Sequence, residues 1–360
     1  MSVLAAVSMI ALCVLQECSS QNTVVAGPTD TVYVNPGVSA SFNCTVSWST
    51  SGRPSIYWGR SRDDGATWTN IAQCYDDGFC NYFDGAENEY SVETTNPYNF
   101  FKLMVTSPSL SEDGHYDCWS GENPSPAAPH ARLYVFSLVT SVTITGYSKG
   151  QTKTVTAGDP ETFDCTATAG NPPADLIWTI GNNDITNSSE IRDISETGTD
   201  TRLYDTTGAL LYRFNASDDK QYLKCQSFQH DSLTLVAWQI LMDVLHAPVI
   251  QAVVVDSWEG NTVVVECLAT ANPDDVTYSW ESGDQTGNTD TSNKWELVDE
   301  DGDDEVTMTC NASNNEGVTS LTEMVKKPYI PSVAIPTESL YTVLENMKDA
   351  DAWKRKALTY

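Results

Sequence analysis

Beyond its first 20 residues, this 360-residue chain has no apolar stretch of 18 residues, the length that marks a membrane-crossing helix. The longest candidate, Leu233 to Leu245, is interrupted by Gln239 and Asp243 and reads as a buried strand. The C-terminus also lacks the hydrophobic tail of a lipid-anchor signal. Positive charge is scarce: 19 Lys and Arg stand against 49 Asp and Glu, a formal net charge of −30. A polyanion of that strength repels phosphate, which excludes nucleic acid and heparin-like polymers and favours a soluble or cationic partner. Histidine is scarce too. His115, His130, His230 and His246 are scattered, and none falls in an H-E-x-x-H or nucleophile-elbow context. No catalytic constellation is visible, and nothing asks for a cofactor or a metal. The chain reads as a non-enzyme.

Val3 to Leu15 is a 13-residue apolar run followed by Cys18-Ser19-Ser20. This is the form of a secretory signal over residues 1–20, although no Lys or Arg precedes the run. Its cleavage removes Cys13 and Cys18 and leaves eight cysteines, an even number, in an oxidising compartment. The remaining chain of about 340 residues suits three domains of about 100 residues.

A three-fold echo organises that chain. Cys44, Trp58 and Cys118 form one set, Cys165, Trp178 and Cys225 a second, and Cys267, Trp280 and Cys310 a third. The first cysteine precedes its tryptophan by 14, 13 and 13 residues. Around each first cysteine, apolar residues alternate with polar ones: Phe42, Cys44, Val46; Phe163, Cys165, Ala167; Val263, Val265, Cys267, Ala269. Period two is the pattern of a half-buried antiparallel strand. The tryptophans sit on the next strand, in "SIYWGRS", "DLIWTIG" and "TYSWES".

These residues resemble the immunoglobulin superfamily over about 22–327, nearly the whole mature chain. In that fold a strand C tryptophan packs on a disulfide joining strands B and F across two sheets. The resemblance implies an all-β protein of three tandem immunoglobulin-like β-sandwiches, with core tryptophans Trp58, Trp178 and Trp280. It also implies bridges Cys44–Cys118, Cys165–Cys225 and Cys267–Cys310. In the chain-entropy model, the loop closed by the first of these stabilises its domain by roughly 4 kcal/mol.

The expected layout is a signal peptide over 1–20, a variable-type domain over 21–136, a C2-type domain over 137–246, a C2- or intermediate-type domain over 247–327 and a disordered tail over 328–360. The first domain has room for C′ and C″ strands. In it Tyr116, two residues before Cys118, takes the family's tyrosine-corner position, and Glu112 replaces the usual aspartate. Leu223 and Met308 stand at the corner positions of the other two. The first domain lacks the Gly-x-Gly bulge of rearranging antigen receptors. In order and generic motifs the chain resembles nectin-like and nephrin-like adhesion ectodomains.

Cys74 and Cys80 flank "YDDGF" in the first domain. Their spacing and the absence of a nearby histidine favour a local hairpin disulfide that stiffens the C′–C″ edge over a metal or redox pair. Four sequons, at Asn43, Asn187, Asn215 and Asn311, are expected N-glycosylation sites. Asn43 lies on strand B and Asn311 on strand F, each beside an inward cysteine, so alternation turns both outward. The G-F-C sheet of the first domain is then free of sugar. Tyr57, Trp119, Arg132 and Tyr134 are expected to face out on it as exposed aromatics with an arginine, the composition of a protein interface. The alternative is that some of them pad the surface or a domain junction.

The acidic run Asp299 to Glu305 lacks the ligand spacing of a calcium loop and reads as a solvated E–F turn. In the tail, Ser339, Tyr341 and Leu344 match the S-x-Y-x-x-L motif of inhibitory immune receptors. This is either a chance match or the trace of a form whose membrane exon is missing here, with Lys326-Lys327 as a cytosolic flank. The expected function is extracellular protein recognition or adhesion by a secreted glycoprotein, through the N-terminal domain. The partner is an extracellular or cell-surface protein, with homophilic binding left open, and this form makes no membrane insertion. The alternative is a cell-surface adhesion or inhibitory immune-type receptor.

Overall fold

The computed structural model describes residues 23–48, 54–121, 129–198, 201–229, 235–298 and 305–326. The leader, the tail with its tyrosine motif, His230 and Asp299–Asp304 of the acidic run lie outside the described residues. Packing divides the chain into two compact units, Met1–Leu245 and His246–Tyr360. The first unit holds two sandwiches and the second holds one.

The first sandwich is built from β1 (Thr23–Ala26), β2 (Thr31–Val34), β3 (Ala40–Ser47), β4 (Ser55–Ser61), β5 (Thr69–Tyr75), β6 (Cys80–Tyr82), β7 (Tyr90–Thr95), β8 (Phe100–Val105), β9 (Gly114–Ser120) and β10 (Ala131–Val135). One sheet runs β1-β3-β8-β7 and the other β2-β10-β9-β4-β5-β6. The second sheet therefore carries both extra strands of a variable-type domain, β5 as C′ and β6 as C″.

The second sandwich uses β11 (Ser141–Ile144), β12 (Thr152–Thr156), β13 (Pro160–Gly170), β14 (Asp175–Ile180), β15 (Asn183–Asp184), β16 (Ser189–Glu196), β17 (Tyr204–Arg213), β18 (Tyr222–Phe228) and the first part of β19 (Ala237–Glu259). Its sheets are β11-β13-β17-β16 and β15-β14-β18-β19-β12. The third sandwich starts on the remainder of β19 and adds β20 (Thr262–Asn272), β21 (Thr277–Ser282), β22 (Gln285–Asp290), β23 (Lys294–Val298), β24 (Glu305–Asn314) and β25 (Gly317–Lys326). Its sheets are β19-β20-β23 and β22-β21-β24-β25. The acidic run thus falls between β23 and β24, the E and F positions.

Alternation decides which residues enter each core. On β3, Phe42, Cys44 and Val46 are buried while Asn43 and Ser47 are exposed. On β19, Ile240, Met242 and Val244 are buried. The two sheets of each sandwich are joined by Cys44–Cys118, Cys165–Cys225 and Cys267–Cys310, with Cα separations of 6.4, 6.6 and 6.4 Å. In every sandwich the tryptophan is the cross-strand partner of the second cysteine: Trp58 of Cys118, Trp178 of Cys225, Trp280 of Cys310. All three indoles are buried in the same clusters as the sulfurs.

The first sandwich adds a tyrosine corner. The buried Tyr116 hydroxyl donates to the Glu112 carbonyl at 2.6 Å. Burial holds its pKa well above the ordinary phenol value. Burial pushes the Glu112 carboxyl up, but bonds from Ser111 and Ser109 outweigh it and leave the pKa lowered. Arg60 lies 3.9 Å from that carboxylate and donates to the Ser111 carbonyl at 2.7 Å. Leu223 and Met308, at the same position in the other sandwiches, are simply buried in the core.

Candidate functional site

The outer face of the β2-β10-β9-β4-β5-β6 sheet departs from the sequence expectation. Tyr57 and Trp119 are cross-strand partners and belong to no core cluster, so they do point away from the core. They are nevertheless buried, with 8% and 4% of their surface exposed. The expectation of free aromatics is corrected at both positions, because a second layer of rings covers them. Tyr57 stacks between Phe83 (6.3 Å between centroids) and Trp119 (6.4 Å). Trp119 meets Trp68 edge-on at 5.7 Å, Trp68 meets His130 at 5.0 Å, and His130 meets His115 at 6.4 Å. Gly59 permits this layer, since a Cβ there would lie 2.3 Å from Cη2 of Trp119.

Arg132 and Tyr134, on β10, are half-buried at the seam with the second sandwich. Arg132 Nη2 donates to Oδ1 of the fully buried Asp113 at 2.7 Å, and its guanidinium sits 4.1 Å over the Tyr134 ring. Asp113 Oδ2 also accepts from the Val135 amide at 2.9 Å and from Asn171 Nδ2 at 2.6 Å. Asn171 belongs to the second sandwich, so a carboxylate of one domain is satisfied partly by the next. Asn171 and Ser137 exchange both backbone hydrogen bonds, at 2.8 and 2.9 Å. Gln229 donates to the Ser137 and Pro172 carbonyls and accepts from the Val139 amide. Arg202 donates to the Arg62 carbonyl. The charge expected of Arg132 at an interface is thus committed to a buried ion pair, where a missing partner is costly.

Beside this seam lies a cleft of about 500 Å³, walled by Tyr33, Tyr134, His115, His130, Pro173 and Tyr204 among others. His130 Nδ1 donates to Asp117 Oδ2 at 2.8 Å. Burial raises the Asp117 pKa despite that bond and the one from the Cys118 amide. Burial lowers the His115 pKa, and nearby Arg132 reinforces the shift.

The opposite end of the same sheet presents a different feature. Cys74 and Cys80 are cross-strand partners on β5 and β6, joined by a disulfide with Cα atoms 4.1 Å apart. Between them the Tyr75 amide donates to the Phe79 carbonyl and the Gly78 amide to the Tyr75 carbonyl, at 2.9 and 3.0 Å. Gly78 has φ +82° and a Cβ there would strike the Tyr98 ring at 2.7 Å, so the turn requires glycine. Asp77 Oδ1 accepts from the Phe79 amide at 3.0 Å. The Phe79 ring is left 55% exposed, beside exposed Asp76 and Asp77. Tyr75 pairs with Ser55, and Ile56 pairs with Ser120. This tip therefore sits where the chain enters β4 and leaves β9, away from the seam. The bracketing cysteines marked the hairpin in the sequence. The exposed ring inside the bracket carries no such signal, because its exposure follows from the turn's geometry.

Asn43, Asn187 and Asn215 are exposed, and Asn311 is half-buried beside Ser320. Asn215 Oδ1 accepts from the Ser217 amide and hydroxyl at 2.9 and 2.6 Å. Glycosylation takes place at Nδ2 and leaves that oxygen free to keep both bonds. Asn43 is on the β1-β3-β8-β7 sheet, so no sequon lies on the sheet that carries Phe79. Among the described residues no group of three or more His, Cys, Asp and Glu is placed to hold a metal ion. Among them, too, no helix is long and apolar enough to cross a membrane.

A model of CD80-like C2-set immunoglobulin domains matches residues 146–234. The human protein Kin of IRRE-like protein 1 is 24% identical over 237 residues, covering 65% of this chain and 30% of that protein. Cell adhesion molecule 2 of Xenopus tropicalis is 25% identical over 260 residues, covering 68% and 58%. Human Cell adhesion molecule 3 is 22% identical over 270 residues, covering 74% and 60%. The chain therefore spans less than two thirds of the length of each of these relatives. Three two-sheet sandwiches, each bridged by a cysteine pair beside a buried strand C tryptophan, together with the C2-set match, make this chain a member of the immunoglobulin superfamily.

Proposed function

We propose that the chain is an extracellular adhesion or recognition protein that binds a protein partner through the far end of its first sandwich. The observation that carries this is Phe79: a large apolar ring held out to solvent by a hairpin closed with its own disulfide. Preorganisation reduces the entropy lost on binding, and an aromatic ring at such a point is the usual anchor of an interface. The flanking Asp76 and Asp77 select a partner whose apolar pocket is rimmed by lysine or arginine. The absence of sequons from this sheet and the relatives' names, which are those of adhesion molecules, support the same reading. The work is binding, with no group transferred. Four disulfides and the four sequons suit the cell exterior, either secreted or at the cell surface.

The test is to probe the immobilised full chain with itself and with extracellular proteins of the same source. Phe79→Ala should weaken the bound partner about 30-fold, the effect of a 2 kcal/mol anchor, with unchanged melting temperature. Undiminished binding by Phe79→Ala and by Phe79→Asp would remove the tip as the site.

A further inference from the structure

The first two sandwiches close the outer edge of their last strand. β2 runs parallel to β10, from Thr31 opposite Arg132 to Val34 opposite Val135. β12 runs parallel to β19, from Thr152 opposite Leu241 to Thr156 opposite Leu245. In the third sandwich the entering part of β19 pairs with β20 from His246 to Glu259. Among the described residues no strand pairs with the outer side of β25.

β25 is ten residues long and pairs with β24 without a register shift, from Asn314 opposite Gly317 to Glu305 opposite Lys326. A two-residue turn closes this ladder on a hydrogen-bonded pair, and antiparallel bonds then alternate. Val318, Ser320, Thr322, Met324 and Lys326 therefore turn their N–H and C=O groups to the free side. A long edge without proline or bulge is a template for another strand. Val318 and Met324 add apolar surface there, 67% and 55% exposed.

Charge decides which strand fits. Between His246 and Lys326 the chain has 17 acidic residues and two lysines. Both lysines are engaged, Lys294 with Asp256 and Glu266, Lys326 with Glu305 at 2.6 Å. Glu323 lies opposite buried Met308, on the core side of the strand, yet is exposed at the rim. It makes no ion pair among the described residues. An inward charge on an edge blunts pairing with a like strand and favours a cation opposite. A second copy would bring the same acidic surface and a second Glu323.

We infer that the outer edge of β25 accepts, by strand addition, an extended segment of a partner protein rich in lysine or arginine. Main-chain hydrogen bonds supply the attachment and Glu323 selects the charge. Asn311 lies on β24, one strand in from this edge, on the face away from the core. The site does not depend on Phe79.

The test uses the full chain and a ten-residue acetylated peptide of alternating valine and threonine with three lysines, against the same peptide with glutamates. The lysine peptide should bind and slow amide exchange at Val318, Ser320, Thr322 and Met324, while the intervening amides, already bonded to β24, change little. Thr322→Pro removes one outward N–H and no ladder bond, and should weaken the peptide about tenfold. Glu323→Lys should abolish the preference for lysine. That second variant decides the matter if Thr322→Pro fails to fold. Equal binding of both peptides by the unaltered chain, or binding that leaves those amides unprotected, would overturn the inference.

Discussion

The first and third sandwiches share one signature and build different objects on it. Both place a strand C tryptophan opposite the second cysteine of a buried bridge. The first then adds C′ and C″ strands, a second disulfide, a tyrosine corner and an outer layer of rings. Among the described residues the third has seven strands counting its part of β19, a methionine at the corner and a last strand paired on one side, with 17 acidic residues between His246 and Lys326. The signature therefore fixes only the two-sheet frame. What sets each domain's surface apart lies in residues outside the signature: a stiffened apolar tip in one, an acidic backbone edge in the other.

Removing the bridge tests how far each frame depends on it. The loops closed are 74 and 43 residues, and the chain-entropy model gives each about 4 kcal/mol. Cys267→Ala with Cys310→Ala should abolish the third sandwich's calorimetric transition near 37 °C. The same change at Cys44 and Cys118 should lower the first sandwich's transition without abolishing it, because the corner, the second disulfide and the seam remain. Equal collapse would show that the additions contribute little to stability.

The corner allows a finer comparison. Tyr116→Phe strands the Glu112 carbonyl and should cost about 2 kcal/mol. Met308→Leu conserves volume and should cost less than about 1.5 kcal/mol in the third sandwich. Urea titration of each variant reads both, and a Tyr116→Phe cost no larger than the methionine change would mean that the hydroxyl adds nothing.

The frame was legible in the sequence because its determinants are local. Strand parity sets which face a residue takes, and Cys44, Trp58 and Cys118 declare themselves by type and spacing. Parity also turned Tyr57 and Trp119 away from the core. It carried no information about Trp68 and Phe83, which arrive from loops to cover them, or about Gly59, whose missing Cβ lets the indole lie flat. Arg132 was legible as an outward residue on the last strand. Its ion pair with Asp113, itself shared with Asn171 of the next domain, depends on a junction that no local pattern encodes. The open edge of β25 is hidden for the same reason, since it follows from where a distant segment, the entering part of β19, chooses its partner.

Acidification should separate the two regions by the smallest margin but with opposite signs. His115 faces Asp64 of the β4–β5 turn at 3.6 Å, the His130 ring, Arg132 of β10 and Arg202 of the second sandwich. Burial first, then Arg132, lowers its pKa when folded, so in the window just below the ordinary histidine value of about 6.5 the unfolded chain binds more protons. Stability is then full above that value and is lost as the pH falls through it. Asp117 acts in the other sense, because burial raises its pKa and protonation relieves a buried charge. Its window starts from the ordinary aspartate value of about 3.9 and so lies lower. Between pH 7.5 and 5.5 the histidine governs, and the first unit should melt at a lower temperature as the pH drops. His115→Gln should flatten that slope. The third sandwich has one histidine, His246, and a large excess of acids whose mutual repulsion eases as protons bind, so its transition should hold or rise. A parallel fall of both transitions, or a slope that survives His115→Gln, would locate the pH response outside the seam.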